Sequence, residues 1–385
     1  MQDLITISSI ASVSSLGNTS QNIWDSYVAK QPLFVKETMD VQELFVSKVS
    51  SEIEQELNAL QATNPSYKNL DRSVLLAILV SKKAVDGLTF PKKNAGINIG
   101  SSRGATSLFE KYFTTFKTTG KVSPYTSPTT TLGNISSWVA QELGTQGIQI
   151  DQSVTCSTAM HAMLNGIAWL QADMAETFLV GGSEAALTPF TIAQMQALKL
   201  YTQSKNKMAC ESMRFQKTKN TMVLGEGAAV AVLEKGISEN TKAIIKGYGF
   251  GAETLVHNSS ISEHATCFQT SMKMALEKAG IDTVDVIVMH APGTVKGDVA
   301  EKNAIDAVFG TQIPLLTSNK WMVGHTFAAS GMLSIEMAIQ MLSHNVFIEN
   351  PFFGNARHLP TTLQTILVNA VGFGGNAVSI VLEKP

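Results

Sequence analysis

Short runs rich in Val, Ile and Gly alternate along this chain with segments whose apolar residues recur at helical spacing. That alternation marks an α/β protein whose strands are buried on both faces. The strand-like runs are Ile148 to Val154, Thr177 to Gly181, Ala228 to Leu233, Ala243 to Gly247, Val284 to Met289, Thr365 to Val371 and Ala377 to Leu382. Helical spacing covers Asp71 to Val85, Ser157 to Ala172, His264 to Ala279, Asp298 to Phe309 and Met332 to His344. Gly280 and Gly310 supply C-terminal stops and Asp71 an N-cap. With 385 residues, the chain has room for two or three ordinary domains or for one large duplicated unit. A faint duplication is visible: helix Asp71 to Val85 before strand Ile97 to Gly100 echoes helix His264 to Ala279 before strand Val284 to Met289, with the polar stretch Lys235 to Lys242 between the parts. The Ser/Thr/Pro-rich piece Thr114 to Thr131 reads as an excursion from the core, a surface loop or a subunit contact.

A net charge of −2 with 16% charged residues offers nothing that draws the chain to nucleic acid, so the expected substrate is a small or carrier-linked molecule. No apolar run reaches the ~18 residues of a membrane span, and Met1 to Asn18 lacks the marks of a secretion signal, so the expected location is cytoplasmic. Cys156, Cys210 and Cys267 are too few and scattered for a disulfide framework or a paired metal site, which leaves thiol chemistry.

Cys156 follows a strand and precedes the helix opening Ser157-Thr158-Ala159, so its sulfur is expected at a helix N-terminus, where the dipole and free N–H groups favour thiolate. The small residues beside it leave room for a substrate; Cys210 and Cys267 lack such a setting and read as packing residues. Two later loops end strand-like runs with a histidine. One is His290-Ala291-Pro292-Gly293-Thr294, leading to Asp298 and Glu301; the other is Lys320-Trp321-Met322-Val323-Gly324-His325. One Cys with two His suggests an activated thiol, whereas zinc would want paired-ligand spacing, so no metal is expected. Gly372-Phe373-Gly374-Gly375-Asn376 reads as a glycine turn able to aim a backbone N–H at an oxyanion, or as a plain hairpin. His161, His257, His264, His344 and His358 read as structural.

Taken in order, Cys156, His290, Lys320, His325 and the Gly-Phe-Gly-Gly turn resemble the signature of the β-ketoacyl synthases of the thiolase-like fold. The likeness extends over nearly the whole chain, through Val13-Ser14-Ser15-Leu16-Gly17-Asn18, Gly181-Gly182-Ser183-Glu184-Ala185, Gly225-Glu226-Gly227-Ala228 and Asp298 with Glu301. It implies an α/β thiolase-like fold of two duplicated halves in a five-layer αβαβα arrangement, usually dimeric. Residues 1–237 would carry the nucleophile and 238–385 the two histidines. Two histidines resemble the elongating type, since the initiating type has Asn where His325 stands. A thiolase would carry a second cysteine near the C-terminal glycine turn, and none is there.

The resemblance further implies that Cys156 accepts an acyl group from the phosphopantetheine of an acyl carrier protein, with no permanently bound cofactor. His290 and His325 would then stabilise the enolate formed from malonyl carrier protein. The N–H groups of Cys156 and Phe373 would form an oxyanion hole, with Phe373 also gating the acyl pocket. Lys320 would set local electrostatics with Glu301; Asp298 and Glu226 would support, and Thr294 would contact pantetheine. A basic stretch, Lys199, Lys205, Lys207, Arg214, Lys217 and Lys219, is a candidate carrier-docking patch, with Lys205, Lys207 and Arg214 foremost. Sixteen methionines suit an adaptable pocket lining or an ordinary core.

The chain departs from the family pattern in three places. Ala291 and Pro292 replace Gly and Thr after the first histidine, Lys219-Asn220-Thr221 stands for Arg-Asp-Gly, and Ser334 stands for a glutamate. These point to a divergent branch serving a specialised polyketide or aryl polyene product. The competing readings are a chain-length-controlling partner subunit of a heterodimeric ketosynthase and a Cys-His hydrolase.

Overall fold

The computed structural model describes residues 4–39, 42–254, 261–355 and 360–385. Ten strands form one continuous sheet: β1 (Ile5–Val13), β4 (Ala95–Gly100), β5 (Gln149–Ile150), β6 (Thr177–Glu184), β7 (Gly227–Lys235), β8 (Ala243–Ala252), β9 (Val286–Val288), β10 (Leu315–Thr317), β11 (Thr365–Gly372) and β12 (Asn376–Glu383); a separate hairpin pairs β2 (Val35–Met39) with β3 (Gln42–Val46). The order is β10-β9-β11-β12-β8-β1-β7-β6-β4-β5. Renumbered within each half, both halves read 1-5-4-2-3 outward from the middle, so the faint duplication in the sequence is a duplication of topology. The halves meet where β1 pairs with β8 through Ile5–Ile245, Thr6–Ile244 and Ile7–Ala243.

Three apolar clusters define the layers. Helices Ser51–Thr63, Arg72–Val85 and Ile135–Leu143 cover the outer face of the first half. Helices Thr266–Ala279 and Val295–Phe309 cover the second. Helices Thr158–Gln171 and Ser330–His344 lie between the two halves in the largest cluster. Helix Ser330–His344 is buried from Ser330 to Leu342, which suits a helix enclosed on all sides. Helix Thr266–Ala279 lies directly on β8. A Cβ added at Gly247, Gly249 or Gly251 would stand 2.1, 2.1 or 2.3 Å from a carbonyl oxygen of that helix, so only glycine permits the approach.

Most expected elements form, with shifted ends. Asp71 caps its helix by accepting from Ser73 N at 2.9 Å. Gly280 and Gly310 end theirs. The run Ile148 to Val154 is strand only at Gln149–Ile150, because the side chains of Asn98 and Ser136 take up the Ile150 carbonyl and the chain then turns toward Cys156. Thr114 to Thr131 is mainly helical instead of a loop, within Thr106–Thr119 and Thr126–Thr130. Its threonines close on the turn behind them, as Thr115, Thr118 and Thr119 do on the carbonyls of Lys111, Thr114 and Thr115.

Candidate active site

The turn carrying Cys156 is built under strain. Thr155 holds a left-handed φ of 48° in a short 3₁₀ turn, Thr155–Ser157, just before helix Thr158–Gln171. Its carbonyl accepts from Ser102 Oγ and from Thr158 Oγ1, each at 2.6 Å. The C-terminal glycine turn packs against it: Thr155 Oγ1 donates to the Phe373 carbonyl at 3.3 Å, and a Cβ on Gly372 would lie 2.0 Å from Thr155 Oγ1. Gly372 therefore has to be glycine for β11 to end beside Cys156.

Cys156 Sγ lies 3.0 Å from His325 Nε2. The His290 and His325 rings stand 5.3 Å apart and nearly perpendicular, at 86°. His290 follows β9, as the sequence pattern indicates. His325 instead follows a short helix, Lys320–Val323, that turns back after β10. Ala291 has φ of 23° and Phe327 of 44°, so Cys156, His290 and His325 each have a left-handed, non-glycine residue within two positions.

Burial dominates the electrostatics. It pushes the Cys156 thiol up to about 12, with Glu184 acting the same way and Lys320 and the residue's own N–H opposing. Against the expectation of a thiolate favoured by the helix start, loss of water acts opposite to the helix terminus, raising the thiol and lowering the facing imidazole. Burial, then Lys320, holds His325 down at about 3. Burial, then His325 and Lys320, holds His290 well below its ordinary value.

The surrounding groups orient the site. Glu301 accepts from the His290 and Ala291 N–H groups, both at 2.9 Å, and burial raises it to about 7. Asp298 fixes the next turn, accepting from Gly293 and Thr294 N at 3.0 Å and from Lys217 Nζ at 2.7 Å. Lys217 is therefore a buried counter-ion and leaves the expected docking patch. Thr294 lines the cavity, while its hydroxyl caps helix Val295–Phe309. Lys320 Nζ donates to Asn319 Oδ1 at 2.9 Å and to Ser334 Oγ at 3.4 Å; burial lowers it to about 8, and Glu301 is the largest of the charges opposing that shift. Glu226 does not join this group: it binds Arg72 and Val49 N.

A cavity of about 1410 Å³ opens onto Cys156, His290, His325 and Phe373, with Lys199, Lys219 and Lys296 also in its wall. Lys205 and Lys207 are exposed. Arg214 pairs with Glu211 at 3.5 Å and covers the Phe352 ring. Cys210 and Cys267 are buried free thiols. His161 Nδ1 lies 3.1 Å from the Ser157 carbonyl, His344 stacks on Trp24 and His264 is exposed, while His257 and His358 lie outside the described residues.

Models of the β-ketoacyl synthase N-terminal domain and C-terminal domain match residues 3–237 and 242–352. The chain belongs to the β-ketoacyl synthase family.

Among related synthases, 3-oxoacyl-[acyl-carrier-protein] synthase 2 of Coxiella burnetii is 27% identical over 99% of this chain and 98% of that protein. The Vibrio cholerae protein of the same name is 25% identical over 99% of each. The ishigamide ketosynthase/chain length factor superposes with a TM-score of 0.85 at 19% identity over the whole of both chains. A ketosynthase in complex with its chain length factor from Xenorhabdus doucetiae gives 0.84 at 19% identity over 100% of this chain and 98% of that one. These solved structures establish the thiolase-like ketosynthase fold.

Two features of this synthase were not assigned roles from the sequence. Glu184 belongs to the run Gly181-Gly182-Ser183-Glu184-Ala185, and its carboxylate ties Ser101 Oγ, Ser102 N and Ala328 N together, bridging the two halves. A lone carboxylate ending an apolar strand was the available signal. Arg103 and its partner Gln194 carried no local pattern at all.

Proposed function

We propose that this synthase is a 3-oxoacyl-[acyl-carrier-protein] synthase that condenses malonyl carrier protein with an acyl group held on Cys156. The observation that carries the reading is the 3.0 Å approach of Cys156 Sγ to His325 Nε2, with His290 across from it in one large cavity.

In the first half-reaction Sγ attacks the acyl thioester, His325 Nε2 takes the thiol proton, and the departing pantetheine sulfur receives it. The N–H groups of Cys156 and Phe373 hold the tetrahedral oxyanion. In the second, the bond from the malonyl methylene to its carboxylate breaks, carbon dioxide leaves, and the electron pair forms an enolate held by Nε2–H groups of His290 and His325. Its carbon attacks the Cys156 thioester; the thiolate leaves and takes one proton from solvent. His325 Nε2 faces Sγ at 3.0 Å and accepts the thiol proton in the first half-reaction, and in the second the same nitrogen donates to the enolate. Lys320 tempers the charge at the site, Glu301 and Asp298 hold the two turns, and Thr294 meets pantetheine. Residues 1–237 form the unit with the nucleophile and 238–385 the unit with the histidines.

An acidic carrier protein would approach over Lys199, Lys219 and Lys296, with Lys205, Lys207 and Arg214 at the margin. Helix Thr106–Thr119 exposes Phe109, Phe113 and Phe116 at i, i+4 and i+7, an apolar stripe that suits a subunit face in a homodimer or a heterodimer with a chain-length-factor-like subunit. Among the described residues no helix is long and apolar enough to cross a membrane, and a cytoplasmic location fits a carrier-linked substrate. The departures at Ala291, Pro292, Ser334 and Lys219-Asn220-Thr221 favour a specialised polyketide or aryl polyene product.

Intact-protein mass after mixing wild type and Cys156→Ala with acyl carriers, followed by malonyl-dependent elongation, tests the reading. Acylation of wild type alone with elongation supports it. Acylation of neither protein across a range of chains would move the partner-subunit reading ahead, and release of free acid without malonyl would favour a hydrolase.

A further inference from the structure

The approach of Cys156 Sγ to His325 Nε2 depends on how two turns from different halves sit against each other. Cys156 lies within Thr155–Ser157, and His325 stands two residues before Phe327–Ala329. Each turn begins at left-handed φ, 48° at Thr155 and 44° at Phe327, a conformation that a non-glycine residue keeps only where its surroundings fix it.

Glu184, the last residue of β6, is placed to fix both. Gly182 lets β6 pass close to the second turn, since a Cβ there would stand 2.4 Å from the Ala328 carbonyl oxygen. Two residues on, the buried Glu184 carboxylate accepts from Ala328 N at 3.3 Å. The same oxygen accepts from Ser102 N at 2.9 Å, and the other accepts from Ser101 Oγ at 3.0 Å. Ser102 in turn donates its hydroxyl to the Thr155 carbonyl at 2.6 Å. A continuous chain of bonds thus runs from the second turn, through one carboxylate, to the residue before Cys156. Glu184 is not part of the cavity lining, so it acts through the turns it holds and not on substrate.

Resting on the synthase reading above, we infer that Glu184 is a positioning residue for acyl loading, setting the Cys156 turn against the turn after His325 so that Sγ stays within proton-transfer reach of Nε2. Without that acceptor two buried N–H groups are orphaned and both strained turns lose part of their brace.

The test is single-turnover acylation of Cys156, read by intact mass over a range of carrier concentrations and well below each variant's unfolding midpoint. Glu184→Ala lowers the rate at saturating carrier about tenfold to hundredfold, the cost of a displacement on the order of 1 Å between reacting groups, with half-saturation unchanged. Glu184→Gln offers one oxygen to Ser102 N and Ala328 N and its NH2 to Ser101 Oγ, so it loads within about threefold of the wild type. Ser102→Ala leaves Glu184 in place, cuts the bond to Thr155 and slows loading by a smaller factor; it serves if Glu184→Ala fails to fold, and wild-type loading in it would then overturn the inference. Wild-type loading in Glu184→Ala overturns the inference alone, as does a change confined to half-saturation. Glu184→Gln no faster than Glu184→Ala also overturns it, because charge and not the placement of acceptors would then be what loading needs. No acylation of the wild type by any carrier removes the synthase reading and this inference together.

Discussion

The two halves share one strand order and one central-helix geometry, yet they furnish the site differently. In the first half β5 leads through the 3₁₀ turn Thr155–Ser157 into helix Thr158–Gln171; in the second β10 leads, after a longer excursion, through Phe327–Ala329 into helix Ser330–His344. Both turns begin with a left-handed residue, φ 48° at Thr155 and 44° at Phe327. One turn carries a cysteine at its middle position and the other Ala328, whose N–H reaches across to Glu184. The excursion before the second turn holds Lys320 and His325. Likewise β4 is followed by Ser101 and Ser102, which brace the nucleophile turn, whereas β9 is followed by His290. The two turns are alike in backbone strain; one holds the thiol, and the imidazoles stand around the other.

Removing the thiol gives the largest effect. Cys156→Ala abolishes the acyl adduct in intact mass and condensation with it, while carbon dioxide release from malonyl carrier persists because the second half is untouched. Loss of that release as well would show that the histidines do not act as a separable unit. The histidines come next. His290→Ala and His325→Ala each lower condensation about a hundredfold to ten-thousandfold. They split on loading, since His325 Nε2 stands 3.0 Å from Sγ: single-turnover acylation is slowed in His325→Ala and nearly kept in His290→Ala. Equal loading rates in the two variants would break the assignment.

The turn after His290 also depends on a buried ion pair between the halves, Asp298 with Lys217 from the first half. Lys217→Met leaves Asp298 uncompensated under Gly293 and Thr294 and destabilises the protein by about 3–5 kcal/mol, read by denaturant unfolding. A change under about 1 kcal/mol would mean the carboxyl simply takes a proton, as its burial-raised pKa allows.

How far the sequence disclosed this depends on whether a residue's role is local. Cys156, His290, Lys320, His325 and Phe373 sit in short patterns of small residues and glycines, and all but Lys320 line one cavity. The layered fold followed from alternating periodicity. Lys217 was read as surface charge because its partner lies 81 residues away, and Glu184, Arg103 and Gln194 take their roles from equally distant contacts. The direction of the Cys156 shift was misread because a helix terminus is visible locally whereas complete burial is a tertiary property. Thr114 to Thr131 was misjudged because threonine-rich composition was weighed above the aromatic spacing of Phe109, Phe113 and Phe116.

The smallest effect concerns Lys320, whose charge acts on Cys156 in the first half and on His290 and His325 in the second. Burial brings it to about 8, so its charge is present below that pH and lost as pH rises through it. Because that charge lowers the Cys156 pKa, acylation at fixed substrate falls several-fold on the alkaline side of about 8. Lys320→Arg keeps the charge and moves the alkaline limb upward; Lys320→Gln starts slower and flattens it. The histidines contribute no acid limb near neutrality, since His325 stays unprotonated down to about 3. They act instead on stability: between their ordinary 6.5 and that value the unfolded chain binds more protons, so unfolding free energy falls as pH falls. An acylation profile in which Lys320→Gln keeps the wild-type alkaline limb would assign that limb to another group and confine Lys320 to its bonds with Asn319 and Ser334.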